Sequence, residues 1–229
     1  MTKLVGVCGL THYRGDVIGS AYSGKDTVAD RLVQRHGYLR ISLADEIKRI
    51  CMRLWDFTEE QMWGSLKDVP DKRYQQPDGS YLTPRFAMQR MGTEVARKID
   101  RDVWVRYVLR LIARLEETGT FTDEEGRVWQ PTYRRMYPDV IQAVTGQPRF
   151  KGVVIPDIRF QDEADAVEAQ GGTLVCVERS LDLEAPAGGH VSEDTAGALL
   201  ERAKVVLQND YTIESLGGLV DQAVESGAW

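Results

Sequence analysis

The feature that most constrains the fold of this chain is a glycine-and-lysine turn set between an apolar strand and an amphipathic helix. Residues 4–10 form an apolar run punctuated by Gly6 and Gly9. Further on, Gly19-Ser-Ala-Tyr-Ser-Gly24-Lys25-Asp26-Thr27 leads into Val28, Ala29, Leu32 and Val33, which recur at helical spacing. Gly19, Gly24 and Lys25 fit the G-x-x-x-x-G-K core of a phosphate-binding loop. Small residues let backbone N–H groups turn inward around phosphate oxygens, and the helix N-terminus adds positive potential. Ser23 and Gly24 would then line the cradle, and Lys25 would reach the outer phosphates of a nucleoside triphosphate. The plainer reading of these residues is an ordinary glycine turn capped by Ser23 or Asp26.

The pattern departs from the usual one in two places. A hydroxyl residue normally follows the lysine and meets magnesium; here Asp26 stands there and Thr27 comes one later. Both are therefore candidate magnesium ligands. The strand is also expected to end at Gly9 or Leu10, well before Gly19. Residues 11–18 read as an insertion, either a flap over the nucleotide or a bulging surface loop.

At 229 residues the chain is long enough for one α/β domain with embellishments. A net charge of −6 argues against a protein that coats nucleic acid, so no nucleic-acid partner is expected. The three cysteines, Cys8, Cys51 and Cys176, lack metal-ligand spacing. Cys8 and Cys176 lie in apolar strand patterns, which fits a reduced, cytoplasmic protein. No apolar stretch approaches the roughly 20 residues of a membrane span, so no membrane partner is expected.

Strand-like runs recur at 4–9, 39–42, 152–155, 173–177 and 204–207. Helical patterns cover 26–35, 44–55, 85–98, 103–116, 162–170, 193–201 and 213–224. The strands are continuously apolar, as expected when helices cover both faces of a parallel, doubly wound sheet. Residues 67–84 are polar and carry Pro70, Pro77 and Gly79, which reads as a loop leading to a substrate site. Residues 118–150 fall outside the strand–helix rhythm; an inserted subdomain, a lid or a homodimer contact would each account for them. Residues 180–189, rich in Ala, Pro and Gly, are a second candidate lid. His190 with Ser192 and Glu193 reads as ordering that lid or capping the next helix.

Residues 153–160 form an apolar strand ending in Asp157-Ile-Arg159-Phe160. Ligands of open α/β sheets sit beyond the carboxyl ends of the strands, so Asp157 and Arg159 should share a crevice with the loop. An Asp–Arg pair capping the following helix is the alternative.

Several segments, in order, resemble the deoxynucleoside monophosphate kinases of tailed bacteriophages, within the P-loop nucleoside-monophosphate-kinase group. They are Ser23-Gly-Lys-Asp-Thr27, Leu43-Ala-Asp45-Glu-Ile-Lys48, Pro84-Arg85 with Gln89-Arg-Met-Gly-Thr-Glu94, Asp102-Val-Trp104, Asp157-Ile-Arg-Phe160, His190-Val-Ser-Glu193 and Asn209-Asp210. The resemblance implies a three-layer α/β P-loop kinase fold, with a five-stranded parallel sheet flanked by helices and a helical monophosphate-binding insertion. It divides the single domain into a core of about 1–43 and 151–229, a helical substrate region of about 44–117 and an inserted segment of about 118–150. It implies transfer of the γ-phosphoryl group of ATP, with Mg²⁺, to a deoxynucleoside monophosphate in the cytoplasm, the host's if the chain is phage-encoded. Lys25, Arg159 and Arg179 would be catalytic. Gly19, Ser23, Gly24, Lys25, Asp26 and Thr27 would hold ATP. Asp45, Lys48, Arg85, Gln89, Thr93, Glu94 and Asp157 would hold the acceptor. Trp55, Trp63 and Trp104 read as base-stacking rings or, at helical spacing, as core. The rival readings are a dephospho-coenzyme A or phosphomevalonate kinase, and a non-catalytic nucleotide-binding regulator.

Overall fold

The computed structural model describes residues 3–14, 17–20, 22–118, 150–184 and 196–229. The strands are β1 (Lys3–Tyr13), β2 (Val17–Gly19), β3 (Tyr38–Arg40), β4 (Gly152–Pro156), β5 (Thr173–Ser180) and β6 (Val205–Gln208). The helices are α1 (Lys25–His36), α2 (Ala44–Trp55), α3 (Glu59–Trp63), α4 (Pro84–Gln89), α5 (Arg97–Ile99), α6 (Val103–Thr118), α7 (Gln161–Ala169), α8 (Ala196–Arg202) and α9 (Ile213–Glu225). The chain divides into two compact units, residues 1–42 with 105–229, and residues 43–104.

The first unit is the expected α/β architecture. Five parallel strands lie in the order β3-β4-β1-β5-β6, and β2 adds antiparallel to β1. Leu4, Val5, Val7, Cys8 and Leu10 of β1 are buried, as are Val153, Val154 and Ile155 of β4 and Leu174 to Val177 of β5. Helices α1 and α9 pack together on one side of the sheet, and α7 and α8 pack together on the other. This double cover is why the strands are continuously apolar rather than alternating. Val28, Ala29, Leu32 and Val33 of α1 are all buried, the stripe that its spacing predicts.

The strand carrying the loop runs further than its apolar run suggests. Instead of ending at Leu10, β1 continues to Tyr13 and turns back as β2, pairing Thr11 with Gly19 and His12 with Ile18. In their paired part residues 11–18 are thus not a bulging loop but strand that continues the central strand and pairs back on it. On the other edge of this extension, His12 is in register with Ser180. Leu181 N donates to His12 O at 2.8 Å, and Arg14 N to Leu183 O at 2.9 Å. The first residues of the candidate lid at 180–189 are therefore tied to β1 and its turn, and residues 185–189 lie outside the described residues.

The second unit is helical. Cys51, Phe57, Met62, Leu82 and Ala87 form its buried core, with Ile47, Met52, Trp55, Trp63, Tyr74, Met88 and Met91 packed around them. Helix α4 passes through a π-helical stretch (Arg90–Ala96) into α5. Trp104 Nε1 donates to Gly92 O at 2.9 Å inside that stretch, where wide π turns leave carbonyls to be satisfied from outside the helix. Trp104 is buried and Trp55 stacks on Phe57, which makes both core residues. The polar stretch 67–84 is an ordered loop around buried Asp71: its carboxylate accepts from Gln61 Nε2 at 2.9 Å and from Arg73 Nη2 at 2.7 Å. Helix α6 was expected to belong to the helical region; from Val105 onward it belongs to the sheet unit.

No helix among the described residues is long and apolar enough to cross a membrane. Residues 119–149 and 185–195, with His190, Ser192 and Glu193, lie outside the described residues.

Candidate active site

The loop between β2 and α1 is shaped by its backbone angles and by close approaches at two glycines. Tyr22 and Gly24 both take left-handed backbone angles, φ 62° and 103°. At Gly24 a Cβ would also stand 2.5 Å from Asn209 Nδ2, so both backbone and space require glycine. Gly9, below the loop on β1, is needed for space alone: a Cβ there would sit 2.0 Å from Ser23 Oγ. Helix α1 starts directly after Gly24 with no side-chain cap, so neither Ser23 nor Asp26 plays the capping role of the plainer reading. Ser23 Oγ turns instead to Ser20 O at 3.3 Å.

Lys25 is buried, and its Nζ donates to Ser20 O at 2.8 Å across the loop. It also stands 3.4 Å from Asp157 Oδ1 at the end of β4. Asp157 bears a second cation, Arg159, whose Nη2 lies 2.9 Å from Oδ2. The turn holding these two residues is fixed from three directions. Asp157 is left-handed at φ 67°, a conformation that aspartate tolerates better than most residues. Ile158 N donates to Val7 O at 2.9 Å, stitching the turn to β1. Glu163, the third residue of α7, accepts from Arg159 N at 2.9 Å and from Phe160 N at 3.1 Å. Helix α7 is therefore capped by Glu163, which leaves Asp157 and Arg159 at the loop.

Burial pushes the Asp157 carboxyl up, but Arg159 and then Lys25 outweigh it and hold the group down at about 2. Asp157 is thus a fixed anion between two cations, poorly suited to take up a proton near neutrality. The resulting arrangement is two cations to one anion beside an uncapped helix start, which favours an anionic ligand.

The other predicted residues fall as follows. Arg179, on β5, donates from Nη1 to Tyr22 O at 3.1 Å and so touches the loop backbone. Asp26 is exposed and paired with Arg40, which also holds Asp30 at 2.6 Å. Thr27, on the first turn of α1, is half-buried. Asp45 is buried on the first turn of α2, with Oδ1 lacking a hydrogen-bond partner. Lys48 Nζ lies 5.3 Å from the centre of the Trp63 ring. Arg85 reaches Asp68, with Nη2 to Oδ2 at 2.9 Å, and Glu94 pairs with Arg90 one turn away. Gln89 and Thr93 are half-buried. The structure thus gathers Lys25, Asp157, Arg159 and Arg179 around one loop; Asp45, Lys48, Arg85, Gln89, Thr93 and Glu94 belong to the helical unit.

Three contributors have no assigned role in the sequence reading: Gly9, Glu163 and Asn209. Asn209, one residue beyond β6, is buried and donates from Nδ2 to Ser23 O at 2.7 Å. A polar residue closing an apolar strand, at the same sheet end as the loop, is the signal that could have singled it out.

A protein of Acanthamoeba polyphaga mimivirus named "Putative deoxynucleotide monophosphate kinase" is 28% identical over 219 residues, covering 93% of this chain and 96% of its own. No family model matches the chain. Among solved structures, a dephospho-CoA kinase from Campylobacter jejuni aligns over 100% of both chains at 13% identity with a TM-score of 0.45.

Proposed function

We propose that this chain is a P-loop kinase of the phage type that transfers the γ-phosphoryl group of ATP to a deoxynucleoside monophosphate. The observation that carries this reading is the Lys25–Asp157–Arg159 cluster beside the uncapped start of α1. The name of the mimiviral relative supports the choice of acceptor.

In this reading the loop amides and Lys25 hold the donor phosphates, and Arg159 neutralises charge on the transferred group. Arginine suits that task because its planar fork pairs two phosphate oxygens and keeps its charge. Arg179 is the third candidate cation. An oxygen of the acceptor phosphate attacks the γ-phosphorus, the bond to the β–γ bridging oxygen breaks, and ADP leaves. The attacking oxygen is already ionised, so no general base is needed, in keeping with the low pKa of Asp157. Phosphoryl transfer of this kind rests on positioning and charge stabilisation. Magnesium bound with nucleotide commonly keeps several waters and uses one or two protein oxygens. Thr27, on the first turn of α1, fits that demand better than Asp26, whose carboxylate is paired with Arg40; Asp157, both of whose oxygens face cations, would serve through water. When bound, the ion would neutralise phosphate charge. Acceptor binding is assigned to Asp45, Lys48, Arg85, Gln89, Thr93 and Glu94.

The test is incubation with ATP, magnesium and each of the four deoxynucleoside monophosphates, with diphosphate followed by ³¹P resonance or chromatography. Formation of ADP and a deoxynucleoside diphosphate is expected. Turnover only with dephospho-coenzyme A or a phosphorylated mevalonate would replace the acceptor. ATP binding that no acceptor turns into product would make the chain a nucleotide-binding regulator.

A further inference from the structure

We infer that Asn209 is a positioning residue: it holds the phosphate loop in the shape that presents its amides to the donor. This rests on the reading of residues 19–25 as the donor loop. Two successive loop carbonyls are held by side chains from the carboxyl ends of neighbouring strands. Tyr22 O accepts from Arg179 Nη1 at 3.1 Å, and Ser23 O accepts from Asn209 Nδ2 at 2.7 Å. In a trans peptide the C=O and the following N–H point in opposite directions. Fixing these oxygens therefore fixes the N–H groups of Ser23 and Gly24, which point from the opposite edges of the same peptide planes. The left-handed angles at Tyr22 and Gly24 belong to the same geometry, since alternating backbone handedness builds an anion-binding concavity.

Asn209 is the more rigid of the two holders. It is buried, whereas the Arg179 contact is exposed. Its own backbone N donates to Glu178 O at 2.8 Å, so the side chain is mounted on β5 as well as β6. It also fits closely against Gly24, where an added Cβ would come within 2.5 Å of Nδ2. Asn209 thus acts through Ser23 and Gly24 rather than on the nucleotide.

The experiment is calorimetric binding of ATP, ADP and AMP to the wild-type chain and to Asn209→Leu, which keeps the branched shape and loses the donor. No acceptor is present, so the result does not depend on turnover. ATP and ADP should bind about tenfold more weakly to the variant, the loss expected for one hydrogen bond, while AMP, without a β-phosphate, changes little. A merely structural role would lower the melting temperature and affect all three nucleotides alike. Should Asn209→Leu fail to fold, Asn209→Ser, too short to reach Ser23 O, carries the same comparison. Wild-type ATP affinity in a folded variant overturns the assignment. A wild-type chain that binds none of the three nucleotides overturns the donor-loop reading instead, and Asn209 falls with it.

Discussion

Lys25 is a buried cation whose ammonium already has two oxygen neighbours, Ser20 O and Asp157 Oδ1. An ammonium has three protons to donate, so a phosphate oxygen can join these partners without leaving either unmet. Lys25→Ala should lower turnover roughly 10²-fold or more, on the scale of removing one preorganised donor from a transition state. The check is steady-state turnover of a variant whose circular dichroism matches the parent; near-normal turnover would remove Lys25 from the donor site. Lys25 and Gly24 were legible in the sequence because their spacing along one short segment is itself the signal. Glu163 was not, and Asn209-Asp210 was picked out only by resemblance with no role attached, because the work of both is done on backbone groups distant in sequence or across a turn. Gly9 was legible as a residue of the strand, but the need for glycine there comes from Ser23 standing above it.

At the scale of elements, α1 is fastened to α9 through one carboxylate. Arg31 Nε donates to Asp221 Oδ1 at 2.9 Å, and His36 Nε2 lies 2.7 Å from the same oxygen. The hydrogen bonds from Arg31 hold the Asp221 carboxyl well below its ordinary range, although burial opposes them. A carboxyl depressed in the folded state contributes stability that is complete above its unfolded pKa and is lost as pH falls. For an aspartate the loss should begin below about pH 4. Urea midpoints of the parent and Asp221→Asn, taken from pH 6 down to pH 3, should converge as the pH drops; a constant gap would show that Asp221 does not carry this dependence. The elements themselves were largely readable: α2 matches its expected bounds, and the other long helices differ by a few residues at their ends. Helix α3 was missed because it is one short, polar-started turn, set by the Thr58–Gln61 capping box rather than by periodicity. The extension of β1 was missed because Thr11, His12 and Arg14 break the apolar pattern, while backbone pairing on both edges is what sustains the strand.

At the scale of the molecule, only one of the two compact units carries the loop of residues 19–25, while the helical unit has a core of its own. Composition and rhythm anticipated the sheet and a helical region; the boundary at Trp104 was hidden because α6 continues through it without a break in pattern. The loop follows β2, which is paired to β1, and β1 is the middle strand, with β4 on one edge and β5 on the other. The amides of Val5, Val7 and Leu10 are consequently among those that should exchange hydrogen for deuterium last, through opening of the whole sheet rather than local fraying. A nucleotide gripping the loop should therefore slow exchange across β1, β4 and β5 together. At a concentration a hundred times its dissociation constant the gain is about 2.7 kcal/mol. Mass-resolved exchange with and without ATP would show it, and protection confined to the loop peptide would mean that the loop opens independently of its strand. A mooring at the centre of the sheet would tie the grip on a ligand at this loop to the integrity of the whole sheet.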